Sequence, residues 1–162
     1  MSASAPHSYS LRVRWTGARG TGTTSYRSYG RDHVVTATGL PPIAGSADRP
    51  FHGDADRWNP ELMFIASLAE CHMLTYLHLA TRAGVVVTDY VDDAGGELRL
   101  DPDGIGGRMT RVTLRPTVTV TAGSDAEVAR SLHDRVPALC FIARSVSVPI
   151  EHQVTVVRAQ AA

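Results

Sequence analysis

No lysine occurs in the chain; all 16 basic residues are arginine. That excludes a Schiff-base lysine and a phosphate-loop lysine. The 16 Asp and Glu residues bring the formal net charge to zero, so no excess of positive charge points to nucleic acid. Cysteine is nearly as scarce. Cys71 and Cys140 are the two present, too few for a disulfide scaffold. CxxC, HExxH and Gly-x-Ser-x-Gly are all missing, and with them the local signatures of a zinc site and of a hydrolase elbow. The first residues lack a basic region followed by an apolar run, so nothing suggests export. The expected compartment is the cytoplasm, where thiols stay reduced. The most apolar stretch, residues 62–80, is interrupted by Glu70, His72 and His78. Charges are costly within a bilayer, so this reads as a buried helix and not a membrane span.

With 162 residues and 43% hydrophobic content, the chain is expected to form a single domain over 1–162, with residues 1–7 as a flexible tail. Residues 9–15 alternate, with Tyr9, Leu11, Val13 and Trp15 on one face, which predicts a half-buried strand. The glycines of 17–22 resemble a dinucleotide turn, but Thr, Ser and Tyr follow where a helix should open, so a hairpin loop is expected. Residues 23–29 and 33–38 have strand composition, and 39–57 reads as a long loop. Asn59-Pro60-Glu61 is a helix start: Asn caps, Pro fits the first position, and Glu suits the positive end. The helix should run to about Arg82 with Gly84 past its end, and its apolar residues cover enough of its circumference to bury it on several sides. Strands are expected at 85–91, 97–100, 112–121 and 149–157, with a turn at 101–104. Ser124 and Glu127 form a capping box for a second helix, Pro137 breaks it, and 138–146 reads as a short third helix carrying Cys140. The order is α+β, not an alternating doubly wound sheet.

Either both cysteines are small buried hydrophobes, or one is reactive. Reactivity needs a thiolate, and hence a nearby positive charge or a helix N-terminus. Cys71 lies mid-helix. His72 points about 100° away and His78 lies about 10 Å along the axis. An activating cation must then come from elsewhere, and must be Arg or His. The Glu70 carboxylate would oppose the thiolate if it faced the sulfur. His72 and His78, six apart, are no i, i+4 metal pair, and a metal site is not expected. His133 reads as a helix-surface residue.

Asn59-Pro60-Glu61-Leu62, Cys71-His72-Met73 ten residues after the Glu, and Cys140-Phe141-Ile142-Ala143 together resemble the OsmC/Ohr family. So do Trp15-Thr16-Gly17, Gly20-x-Gly22-Thr23, Tyr29-x-Arg31-Asp32-His33 and Gly45-Ser46-Ala47-Asp48. The resemblance covers about residues 8–158, and the order and spacing of the motifs make it specific. It implies an α+β fold of antiparallel sheets enclosing long central helices, in an intertwined homodimer. It implies a thiol-dependent peroxidase for organic hydroperoxides, serving oxidative-stress defence without a cofactor. By motif position Cys71 matches the peroxidatic cysteine, Cys140 the resolving cysteine, and Glu61 the glutamate that pairs with an arginine beside the thiolate. Arg31 matches that arginine, with Arg19 and Arg49 as alternatives; Asp32 and His33 either orient Arg31 or cap a strand. The implied reductant is a dithiol, a lipoyl protein in some members. Given these roles, Glu61 and Cys71 lie roughly 15 Å apart along one helix at 1.5 Å per residue, so a two-fold partner must bring the Glu to the thiol. A redox sensor or a hydrophobic-ligand binder on the same scaffold remains as an alternative, with metal binding through Cys71 and histidines as a third.

Overall fold

The computed structural model describes residues 5–160. Of the expected tail, residues 1–4 lie outside the described residues, and residues 5–7 carry no regular secondary structure. The chain divides into two compact units, Met1–Met63 and Phe64–Ala162, with the division inside the long helix.

The first unit holds an antiparallel sheet of β1 (Arg12–Trp15), β2 (His33–Thr36) and β3 (Ile43–Gly45) in that order. β1 is shorter than the alternation suggests, and all four of its residues are exposed. It is an edge strand, so the half-buried reading fails. The 23–29 strand fails too, because those residues form turns. Ser28 explains this: its hydroxyl donates to Gly22 O at 2.8 Å and accepts from Ser25 N at 3.0 Å, which closes the segment on itself. At the base of this loop Gly30 N donates to Gly17 O at 2.7 Å. A Cβ on Gly17 would sit 2.1 Å from the Gly30 carbonyl oxygen, so only glycine permits the closure. The expected 39–57 loop contains β3 and a 3-10 turn, Arg49–Phe51, capped by the Asp48 side chain.

α1 (Pro60–Arg82) forms as its sequence signals require. Asn59 Oδ1 accepts from Leu62 N at 2.8 Å, and Gly84 takes φ +72° past the end. One stripe is buried: Ile65, Leu68, His72, Tyr76 and Leu79. Leu62, Glu70, Leu74 and His78 lie open along the other side, so in the single chain α1 is not buried all round.

In the second unit the expected 112–121 strand is two strands. β6 (Gly107–Leu114) and β7 (Pro116–Val120) part at Arg115 and enter different sheets. Their inward residues Val112, Leu114, Val118 and Val120 are all buried, as the alternation predicts. β4 (Val87–Asp92) pairs antiparallel with β7, and β5 (Gly95–Leu100) antiparallel with β6. The C-terminal strand is likewise split, into β8 (Ile150–His152) parallel to β6 and β9 (Thr155–Arg158) parallel to β7. Both sheets are therefore mixed, which corrects the expectation of antiparallel sheets. Parallel neighbours need a long crossover, and α2 (Ala126–Ser131) with the turns after it supplies one. α2 is capped by Asp125, whose carboxylate accepts from Glu127 N and Val128 N. Ser124, the expected cap, instead accepts from Val86 N at 3.0 Å. Two core clusters result. Ile65 and Leu68 pack with Val112 and Leu114, and Tyr76, Leu79 and Ala80 pack with β7, α2 and Cys140.

The core also holds polar residues. His133, expected at the surface, is 2% exposed. Its ring stacks on Tyr76 at 3.9 Å, and its Nδ1 lies 2.8 Å from His72 Nε2. The His152 ring lies 4.6 Å from that of His72. Burial pushes His72 down to about 3 and His133 down to about 4, helped by the neighbouring imidazoles and Arg130. His152 is also lowered by burial, against the pull of Asp134. His133 Nε2 has no partner among the described residues.

Two expectations follow. Leu114→Ala should lower the unfolding free energy by about 2–5 kcal/mol, because it opens a cavity in a closed cluster, whereas Asn59→Ala should cost about 1 kcal/mol through the lost cap; urea titration measures both. In the unfolded chain histidines take up protons below about pH 6.5 while the buried ones do not, so stability should fall as pH drops from there. A urea midpoint that stays constant between about pH 7 and pH 5 would contradict this assignment of buried neutral histidines.

Candidate active site

Cys71 lies at the margin of the buried stripe of α1, about 100° around the axis from His72. It is half-buried and packs against the cluster that contains Cys140. Cys140 reaches it from the segment after Pro137. That segment is not the expected third helix. Cys140 sits in a turn, where its N–H donates to Val136 O at 2.8 Å and its carbonyl accepts from Arg144 N at 3.1 Å. A 3-10 turn, Ala143–Ser145, follows, and the Ala143 N–H donates to Cys140 Sγ at 3.4 Å. Pro137 cannot donate a helical hydrogen bond, and the chain folds around the sulfur instead of extending α2.

Cys71 packs against the buried cluster that holds Cys140, and its thiol bears on that of Cys140, so the sequence-distant cysteines are brought together. Their surroundings are unequal. Cys140 is 1% exposed, and burial pushes its thiol up to about 11, with the neighbouring Cys71 thiol adding to the rise. Both are free thiols.

Cys71 opens on a cavity of about 650 Å³. Leu74, Leu139, Phe141 and Ile142 form an apolar wall, and Glu70 and His78 lie along the same helix face. Phe141 is 78% exposed and Leu74 63%, so the mouth is open and greasy. Glu70 does line the space in front of the thiol, which its 100° offset from Cys71 left undecided.

Glu61 and Arg31 lie in the first unit. Glu61 occupies the first turn of α1, where the helix dipole favours a carboxylate, and its Oε2 is buried without a hydrogen-bond partner among the described residues. The Arg31 guanidinium stacks over Tyr29 at 4.1 Å and Tyr26 at 4.4 Å. It donates to Tyr29 O at 2.7 Å and Tyr26 O at 2.8 Å. Asp32 does not pair with it: that carboxylate lies 3.6 Å from Arg57 Nε, and Arg57 Nε also lies 3.4 Å from Asp54. The His33 ring meets the Arg31 carbonyl through Nδ1 at 2.9 Å and lies over Gly45. Arg19 stands in the left-handed region at φ +50°, and Arg49 is exposed at the start of its 3-10 turn. Arg57 was not singled out by the sequence; its only local signal is Asp54, three residues earlier. Among the described residues no cluster of three or more His, Cys, Asp or Glu side chains is arranged to hold a metal ion.

The model of one family, OsmC-like protein, matches residues 53–155. The comparison with curated proteins gave no match. Among solved structures, an OsmC-like protein of unknown function from Vibrio cholerae is 28% identical, with 92% of this chain and 99% of that one covered and a TM-score of 0.80. An organic hydroperoxide resistance protein OsmC from Legionella pneumophila is 19% identical, covering 94% and 98%, with a TM-score of 0.68. An organic hydroperoxide resistance protein from Elizabethkingia anophelis is 18% identical, covering 97% and 100%, with a TM-score of 0.69. At those last identities the likeness is one of fold. The family model spans α1, both cysteines and β4 to β8, and the chain belongs to the OsmC-like protein family.

Proposed function

We propose that the protein is a thiol-dependent peroxidase that reduces organic hydroperoxides, with Cys71 as nucleophile and Cys140 as resolving thiol. The observation that carries this reading is the pair of neighbouring free thiols with unequal burial, one member open to an apolar cavity. The Cys71 thiolate attacks the distal peroxide oxygen. The O–O bond breaks, the alcohol leaves with a proton, and the sulfur becomes a sulfenic acid. The Cys140 sulfur then attacks that sulfur, its proton leaves with the hydroxide as water, and a Cys71–Cys140 disulfide forms. A dithiol reduces the disulfide by exchange and is itself oxidised to a disulfide. A lipoyl protein in a reducing cytoplasm is the dithiol we favour. The apolar wall suits a substrate with an organic tail.

The working unit in this reading is an isologous homodimer, in which the Glu61 of one copy serves the Cys71 of the other. Three features support it: the unpartnered buried oxygen of Glu61, the open Leu62, Glu70, Leu74 side of α1, and the exposed apolar residues Leu11, Val13 and Trp15 on and beside β1. The two carbonyl bonds of Arg31 fix the plane of its guanidinium and leave its other N–H donors for a carboxylate.

The test follows cumene hydroperoxide loss with a dithiol present. Wild type should turn over, and Cys71→Ser should fall to the buffer rate. With the dithiol left out, Cys140→Ser should react once per chain with the peroxide and hold a Cys71 sulfenic acid that dimedone traps. Wild-type consumption no faster than that of Cys71→Ser defeats the peroxidase reading, and a Cys71–Cys140 disulfide formed without turnover would favour a redox sensor.

A further inference from the structure

His72 follows Cys71 directly in α1, and it is buried in the core while the thiol stays on the margin. His133 comes from the 3-10 turn Leu132–Arg135, between α2 and the Cys140 turn. The two rings meet with Nε2 of His72 2.8 Å from Nδ1 of His133. From His133 two backbone bonds lead on to the second thiol: Val136 N donates to His133 O at 3.2 Å, and Cys140 N donates to Val136 O at 2.8 Å. One imidazole contact therefore ties the residue beside the first cysteine to the turn that carries the second. Tyr76, one helical turn after His72, braces it. Its ring stacks on His133 at 3.9 Å, and its hydroxyl donates to Ala129 O at 3.1 Å. His72 and His133 are 1% and 2% exposed, so these contacts belong to the chain itself and a second copy leaves them as they are. Leucines would fill the same space without the desolvation that buried imidazoles suffer. What a hydrogen bond adds, and leucines do not, is a fixed relative position.

We propose that His72 and His133 are positioning residues for the thiol pair: their hydrogen bond holds the Cys140 turn against α1, and so favours the closing of the disulfide and not the attack on the peroxide. The peroxide part rests on the peroxidase reading above; the positioning of the thiols does not. Closing a disulfide needs Cα atoms roughly 4.4–6.8 Å apart, so a turn free to drift is in bonding geometry less of the time. A hydrogen bond of ordinary net strength corresponds to about a three- to tenfold change in the effective concentration of one thiol at the other. Peroxide attack uses Cys71 and the cavity in front of it, and neither imidazole of the pair lines that cavity.

Oxidised glutathione tests the positioning without peroxide. The Cys71 thiolate displaces one glutathione thiolate to give a mixed disulfide. The Cys140 sulfur displaces the second and its proton passes to solvent, so two protein thiols are oxidised as one oxidised glutathione is reduced to two thiols. The equilibrium constant for closure is measured on the full chain by mass spectrometry, beside the urea stability of the reduced form. His133→Leu leaves an imidazole unpaired in the core and should lose both stability and closure. His72→Leu combined with His133→Leu removes both polar partners. The double variant should regain stability over His133→Leu, yet close about three- to tenfold less favourably than wild type. His72→Gln, whose amide both donates and accepts near the place of Nε2, should stay within about twofold of wild type. Closure in the double variant equal to that of wild type, closure that follows urea stability across the variants, or a glutamine variant as impaired as the leucine ones overturns the proposal. So does a wild type that forms no Cys71–Cys140 disulfide with glutathione. Wild type alone supplies a further readout: the shared imidazole N–H should give a proton resonance that persists when the disulfide forms. Its loss on oxidation means that the pair parts as the thiols join, and overturns the proposal as well. In the second arm, cumene hydroperoxide is added with dimedone competing for the sulfenic acid. The double variant should consume the first equivalent of peroxide within about twofold of the wild-type rate, and shift Cys71 from disulfide to dimedone adduct by about three- to tenfold. Closure with glutathione that depends on the pair, without consumption of peroxide, would retain the role of the histidines and defeat the peroxidase reading instead.

Discussion

The rotation of α1 about its own axis is the setting on which the thiol site depends. Ile65, Leu68, His72, Tyr76 and Leu79 lock one stripe of the helix into two clusters. Cys71, about 100° from the middle of that stripe, is left on its margin. One side of the sulfur meets Cys140 and the other meets the cavity. Turning the helix one way would bury the thiol; turning it the other would part it from Cys140. The imidazole pair strengthens this lock, because the His72–His133 hydrogen bond fixes the residue next to Cys71 against the segment that leads on to Cys140. A packed stripe with a specific polar contact in it admits few alternative rotations.

Burial separates the two thiols. Cys140 sits in a closed cluster and is held in its protonated form at neutral pH. Cys71 shares that cluster only in part. Two cysteines that were equivalent in composition become unlike because one lies in a turn wrapped by its own backbone and the other on a helix edge. The Ala143 N–H aimed at Cys140 Sγ opposes the rise but does not outweigh the burial.

How much of this the sequence reveals depends on the range of the interaction. α1 is legible to the residue, because Asn59, Pro60, Glu61 and Gly84 act within one turn of its ends. The inward faces of β6 and β7 are legible because a period of two needs no partner to be read. Their separation into two sheets is not, since Val112 to Val120 alternates straight through Arg115. The parallel pairing of β8 and β9 escapes for the same reason: it is fixed by a crossover and not by the strands themselves. Ser124 carries a capping signature, but Asp125 next to it takes the cap and frees Ser124 to bond Val86, 38 residues away. The buried histidines escape entirely, because His72, His133 and His152 meet only in the folded chain. For the thiol site, the pairing of the cysteines was an implication of family resemblance, and no spacing rule could have supplied it.

The absence of lysine acquires a structural content from these contacts. The arginines serve repeatedly as backbone clamps: Arg31 to the Tyr26 and Tyr29 carbonyls, Arg115 to Asp93 O, and Arg130 to Val154 O. A guanidinium can donate in its plane while its face rests on an aromatic ring, as Arg31 does on two tyrosines, and an ammonium cannot do both. Among the described residues no arginine lines the Cys71 cavity, whose apolar wall is bordered by Glu70 and His78. Any permanent positive charge that assists Cys71 must therefore enter from beyond the cavity lining. The buried Glu61 oxygen has no donor among the described residues either; in the dimeric reading proposed above, one contact with a second copy would meet both needs and cover the open side of α1.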